Sequence, residues 1–399
     1  MLRFLLAAAS LAIPMTAHAA DLAADPTPAT VVVAFDKDTI TPLIVEGEAD
    51  RETDRAVKAN DPVRIASVSK MIMALAALRL VDEGKLDLRA DVSDYLGWTL
   101  RSPYYPEKRV TLAQIMSHRA GLRDDAGYVI PLGESLQDTL ANEAAWYPDA
   151  APGKAPFEYA NLGSPVVATV LEAASGERYD RLVERLVFAP LGIKACLNWI
   201  GCPQERLASA VTLYRDTGEI ARDGKADLPP ECTIPVAEGS ACTLDDYVPG
   251  TNASVFSPQG GIRIGMMDLA RIGQALMDHQ NTVFLSARAR ERAFFYLLSG
   301  RTKEQEFFCN YGLHMQAIEE TDAPCEDTLF DDGKVRIGHA GEAYGLRSGL
   351  WIDSEGESGI AYFTTAVPDR TSEDEGGFDA REIALMKRAG KLLGKMDRD

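Results

Sequence analysis

A serine stands three residues ahead of a lysine, Ser67-x-x-Lys70, where a short β-like run over 63–66 breaks into a long apolar stretch. On a helix, positions three apart share a face one turn on, so the Lys70 amine reaches the Ser67 hydroxyl. That is a nucleophile beside a base. The run 71–81 is apolar nearly all round, interrupted by Arg79, the pattern of a helix buried mid-domain. The N-terminal N–H groups of such a helix stabilise an oxyanion at Ser67, and low dielectric favours the neutral, proton-accepting form of Lys70. Two further stretches offer polar groups. Tyr159-Ala160-Asn161 precedes a predicted helix, and His339-Ala340-Gly341-Glu342 runs along a predicted edge strand. Singly, each has a plain structural explanation: a helix N-cap for Ser67 or Asn161, a packed aromatic for Tyr159, a satisfied strand-end imidazole for His339. Only their joint order favours chemistry.

The elements that must position these groups follow from periodicity. Residues 31–35 and 40–47 read as a strand pair, and the helix opened at Ser67 ends at Glu83-Gly84, with glycine in the expected position past the last turn. Helices are predicted over 111–118, 136–146, 164–174, 179–188, 267–277 and 380–393. Strands are predicted over 311–318, 335–339, 346–353 and 359–366. Strands at both ends bracket a helical middle. The fold class is therefore α+β: an antiparallel sheet built from both termini with flanking helices, about 28–66 and 307–399, and an inserted α-rich lobe, about 67–306. Within the lobe, 195–257 reads as an irregular, cysteine-rich excursion over the surface.

Residues 1–19 combine Arg3, an apolar core and Ala17-His18-Ala19, the pattern of a secretory signal peptide, leaving 20–399 as a single domain exported to the periplasm or beyond. The apolar core is too short for a stable membrane anchor. The 60 acidic against 41 basic side chains, net −19, disfavour nucleic acid and anionic membrane as partners. The six cysteines fall into neighbouring pairs, Cys196 with Cys202, Cys232 with Cys242, and Cys309 with Cys325, expected as local disulfides although the spacing leaves the connectivity open. No Cys-x-x-Cys pair suggests zinc, and no phosphate loop or α/β-hydrolase elbow is present, so neither metal nor cofactor is implied.

Together, Ser67-x-x-Lys70, Tyr159-x-Asn161 and His339-Ala340-Gly341 resemble the three motifs of the penicillin-recognising serine hydrolases, in particular the class C β-lactamase-like branch. Segments 80–88, 116–122, 259–263, 268–271 and 311–313 resemble the family's framework in order. The resemblance implies a β-lactamase/transpeptidase-like fold and a serine hydrolase acting on a small molecule or short peptide. Ser67 would be the acylated nucleophile, Lys70 and Tyr159 the proton-transfer pair, and Asn161 an orienting amide. The backbone N–H groups of Ser67 and Glu342 would form the oxyanion hole. His118 is assigned to structure. Esters, β-lactams, D-Ala-D-Ala peptides and D-amino acid amides are all substrates the resemblance allows, as is a silent homologue that binds peptidoglycan or a protein. In place of a lysine and a threonine the third motif has His339 and Ala340, and Glu342 adds a negative charge. If Glu342 faces the cleft, neutral esters or cationic amides are favoured over anionic substrates. Arg263 and Arg347 are the residues able to offset it.

Overall fold

Strand β1, Thr30–Phe35, is buried at all six positions, because both of its faces are covered. Val31, Val33 and Phe35 enter the main core, while Val32 faces a second, smaller one. The computed structural model describes residues 27–278, 284–300, 307–318, 327–368 and 377–396, so the expected signal peptide lies outside the described residues. After β1 come β2 (Ile40–Glu46), β3 (Val63–Arg64) and the buried helix α1 (Val68–Asp82). The lobe then contributes α2 (Leu112–Met116) and α3 (Gly163–Ser175), followed by β4 (Cys196–Leu197) and β5 (Ile262–Ile264). Helices α4 (Met266–Met277) and α5 (Ala287–Ser299) lead into β6 (Asn310–Gly312), β7 (Met315–Ile318), β8 (Arg336–Ala343), β9 (Leu346–Asp353) and β10 (Gly359–Thr364). Helix α6, Ala380–Met396, follows.

The seven-stranded antiparallel sheet has the order β6-β7-β8-β9-β10-β1-β2. Thr30 pairs with Thr364, so strands from the two ends of the chain lie side by side, as the sequence predicts. One face carries α1, α4 and α5, and the other carries α6 through Leu385, Met386 and Ala389. Residues 68 and 70–78 of α1 are fully or almost fully buried because sheet and lobe close round the helix from all sides.

Three expectations need correction. The stretch 311–318 is two strands joined at Leu313 and His314, both at positive φ (49° and 57°), a turn made without the glycine that marks one in sequence. Helix α4 packs on the sheet: a Cβ on Gly273 would meet the Phe35 ring at 2.2 Å, so the lobe ends near 265 and not at 306. The predicted helix 179–188 changes from α to π winding at Glu184–Phe188. Two disulfides join Cys196 to Cys202 and Cys232 to Cys242, with Cα atoms 5.7 and 5.8 Å apart. Cys309 is disulfide-bonded too, while Cys325 lies outside the described residues.

Candidate active site

The chain enters the site through Ala66, which sits at φ +44°, a left-handed conformation costing about 1–2 kcal/mol in a residue with a Cβ. That kink presents Ser67 at the head of α1. The Ser67 side chain makes no capping bond, so the N-cap explanation fails and Oγ is left to other partners. Lys70 Nζ lies 3.1 Å from Ser67 Oγ, 2.8 Å from Asn161 Oδ1 and 3.1 Å from the Gln259 carbonyl. Asn161 Oδ1 and the carbonyl can only accept. When Lys70 is neutral, its two N–H groups serve them and its lone pair faces the Ser67 hydroxyl. Burial lowers the Lys70 pKa to about 7, against a partial pull upward from Asp124.

The Tyr159 phenol lies next to Ser67, and its ring sits under the Lys70 amine, 4.9 Å from ring centroid to Nζ. Its ring is held between Phe308, stacked at 4.7 Å, and His118, tilted at 4.5 Å. Burial pushes the phenol pKa up, opposed in part by the neighbouring Ser67 hydroxyl, so the resting group is the neutral phenol. Behind it the Tyr311 hydroxyl meets His339 Nε2 at 2.9 Å and His118 Nε2 at 3.3 Å. Burial, then the neighbouring Lys70 charge, brings His339 down to about 3, and it is uncharged at neutral pH. His118, expected to be structural, accepts from the Ala160 N–H through Nδ1 at 3.2 Å and stands directly against the candidate proton donor.

Asn161 does not cap α3. Asp124 takes that place: its carboxylate accepts from the backbone N–H groups of Asn161 (3.0 Å) and Leu162 (2.8 Å) and from Asn161 Nδ2 (3.0 Å). It thereby turns Asn161 Oδ1 toward Lys70. Asp124 lies in a short 3-10 turn, Asp124–Ala126, and its sequence context, Arg-Asp-Asp-Ala, carries no signal for this role. Asp124→Ala should lower kcat about 10- to 100-fold by loosening Asn161 and Lys70. It should also move the acidic limb of the pH–rate profile downward, because the anion that raises Lys70 is gone. A pH profile identical to wild type would make Asp124 a helix cap only.

Strand β8 borders the cleft with a free edge. Its pairing with β7 ends at Gly338, and among the described residues no strand pairs with the outer edge from His339 onward. Gly341 permits the approach of β8 to α1, since a Cβ there would lie 2.5 Å from the Ile65 carbonyl and 2.3 Å from Ser348 Oγ. Ser348, unremarked in the sequence, donates to that same carbonyl at 3.0 Å and anchors the approach to Ser67.

Alternation along β8 sends Ala340 and Glu342 to the opposite face from His339. Ala340 packs into the smaller core, and Glu342 pairs with Arg347 at 3.1 Å. Glu342 does line the cleft, but Arg347, which also faces Glu382 at 3.9 Å, holds it in an ion pair, and this weakens the expected repulsion of anionic substrates. Arg263 is equally committed, to Asp223 at 2.9 and 3.2 Å. The cleft is about 990 Å³, and one wall comes from the cysteine-rich segment, through Asn198, Trp199, Asp223, Cys232 and Ile234. That segment is no surface excursion; it shapes the site.

Residues 20–385 match the family model described as Beta-lactamase. The chain belongs to that family, whose members are serine hydrolases. Among curated relatives it is 34% identical over 178 residues to Esterase EstB of Burkholderia gladioli, covering 41% of this chain and 45% of the relative. It is 31% identical over 140 residues to D-alanyl-D-alanine-carboxypeptidase/endopeptidase AmpH of Escherichia coli (strain K12), covering 33% and 35%. The chain thus aligns with less than half the length of these relatives. A D-stereospecific amidohydrolase from Streptomyces sp. shares the fold at TM-score 0.60 and 18% identity, over 92% of this chain and 95% of that one. So does a class C beta-lactamase, at TM-score 0.60 and 16% identity, over 92% and 90%. Among the described residues no helix is long and apolar enough to cross a membrane.

Proposed function

We propose that this protein is an exported serine acyl hydrolase that cleaves an ester or amide through an acyl-enzyme on Ser67. The observation that carries the reading is the set of three contacts at Lys70 Nζ, which leaves a neutral amine one direction for its lone pair, toward Ser67 Oγ. Lys70 takes the hydroxyl proton as Oγ bonds to the acyl carbon. The oxyanion is received by the N–H groups of Ser67 and Glu342, a reading supported by the free edge of β8. Tyr159, next to Ser67, passes a proton to the leaving atom and is resupplied from the Lys70 ammonium. Water then attacks the acyl-enzyme by the same route in reverse, releasing the acid and restoring Ser67. Export is supported by the paired cysteines and by the signal-like sequence before residue 20.

EstB is named an esterase and AmpH a carboxypeptidase and endopeptidase, so both bond types belong in the test. A fluorophosphonate probe should label Ser67, and a panel of p-nitrophenyl butyrate, nitrocefin and D-amino acid amides should identify the bond cleaved. Folded protein that takes no label and turns over nothing on the panel would instead favour a silent binding homologue.

A further inference from the structure

Arg64, on β3 three residues before Ser67, is 7% exposed, lines the cleft, and among the described residues has no hydrogen-bond or ion-pair partner for its guanidinium. Its Nε is fully enclosed without an acceptor. Burying an unpaired cation is costly, and structures retain one where something else supplies the anion. Arg64 remains a cation at neutral pH, although burial, then the Arg263 charge beside it, lowers its pKa to about 10.

The neighbours reinforce this positive end. Arg64 and Arg222 approach the same Tyr344 ring, at 5.1 and 5.2 Å from its centroid. Tyr344 is held at φ +55° in the tight turn between β8 and β9, an uncommon conformation for an aromatic residue, followed by Gly345 at +71°. Two carboxylates lie at this end of the cleft. Asp223 is hydrogen-bonded to Arg263 and Trp199 and reaches Arg64 only through its charge, and Asp227 is exposed at the rim without an ion pair to either arginine among the described residues. Arg64 also borders the nucleophile. A Cβ on Gly260 would lie 3.6 Å from its terminal nitrogen and 3.5 Å from the Ala66 backbone.

We propose that Arg64, supported by Arg222, is an anion subsite that receives a carboxylate carried by the substrate, so that the enzyme prefers acidic acyl compounds over neutral ones. This rests on the acyl-hydrolase reading above. It reverses the preference that the third motif suggested, and it places the selecting charge on the strand that leads into Ser67.

The test compares kcat/KM for three chromogenic esters. They are p-nitrophenyl butyrate, the mono-p-nitrophenyl ester of glutaric acid with its carboxylate on the acyl side, and 5-butyryloxy-2-nitrobenzoate with its carboxylate on the leaving group. At least one acidic ester should exceed the neutral one in wild type, and which one does identifies the side that Arg64 reads. Arg64→Gln should reduce that acidic-to-neutral ratio about tenfold or more, since it removes a charge-assisted hydrogen bond in a partly dry site. Arg64→Lys should retain part of the ratio, because the charge stays while the planar fork is lost. Arg222→Gln, at an exposed position, should lower it by a smaller factor and covers the case in which Arg64 variants do not fold. Raising ionic strength should reduce the ratio in wild type. Neutral-ester turnover with no acidic preference, or a ratio unmoved in folded Arg64→Gln or in Arg222→Gln, would overturn the subsite while leaving the serine mechanism standing. Absence of turnover on all three esters, with no fluorophosphonate label, would remove the reading on which it rests.

Discussion

Ser67→Ala should abolish turnover of any substrate the wild-type protein cleaves, with a loss of about 10³-fold or more, because no other hydroxyl replaces the attacking atom. Lys70→Met should cost about 10²- to 10⁴-fold by removing the base. In wild type the rate should rise as pH increases through about 7, since Lys70 must shed its proton before it can accept one. Stability gives an independent check. Folded Lys70 loses its proton near 7 while an ordinary lysine keeps it to 10.5, so folding expels a proton between those values and wild-type stability climbs with pH across that window. Lys70→Met lacks this slope. It should melt at a higher temperature than wild type at pH 6 while remaining inactive, an outcome that a merely damaged fold cannot produce. Full activity in Ser67→Ala, measured against the wild-type substrate, would refute the mechanism.

Tyr159→Phe should lower kcat/KM by about 10²- to 10⁴-fold, the usual range for a positioned proton donor. The substitution keeps the ring between Phe308 and His118 and deletes only the hydroxyl, so the melting temperature should move little. Burial keeps the resting hydroxyl protonated, and the acidic limb belongs to Lys70. Residual activity of Tyr159→Phe should therefore keep a midpoint near that of wild type. Loss of that limb in the phenylalanine variant would show that Tyr159, and not Lys70, sets the base.

Much of this site is legible in the sequence, because nucleophile and base lie one helical turn apart, where periodicity fixes the geometry. The sheet is legible for a similar reason: a strand such as Thr30–Phe35, buried on both faces, shows as a dense apolar run. Residues acting across long sequence gaps are not. Asp124 meets Asn161 only through folding, and Ser348 reaches Ile65 across 283 positions. The turn at Leu313 and His314 leaves no mark in the sequence because its left-handed residues are neither glycine nor asparagine. Helix α5 has a weak sequence signature because Ala287–Ser299 mixes arginines with aromatics, although Ser286 caps it through the Ala289 N–H. The direction of Glu342 follows from strand alternation, but its ion pair with Arg347 requires the hairpin register.

The pairing of β1 with β10, Thr30 opposite Thr364, also constrains the time course of assembly. A chain emerging from the ribosome holds its first hairpin, β1 and β2, long before the strand that must flank β1 is synthesised. Until then β1 has one unpaired edge and no covering sheet, and the closing contact spans more than three hundred residues, a separation that favours slow folding. The sheet therefore cannot close until synthesis has passed β10. Removing β10 and α6 should accordingly leave the N-terminal hairpin as an exposed aggregation-prone edge, however much of the lobe remains.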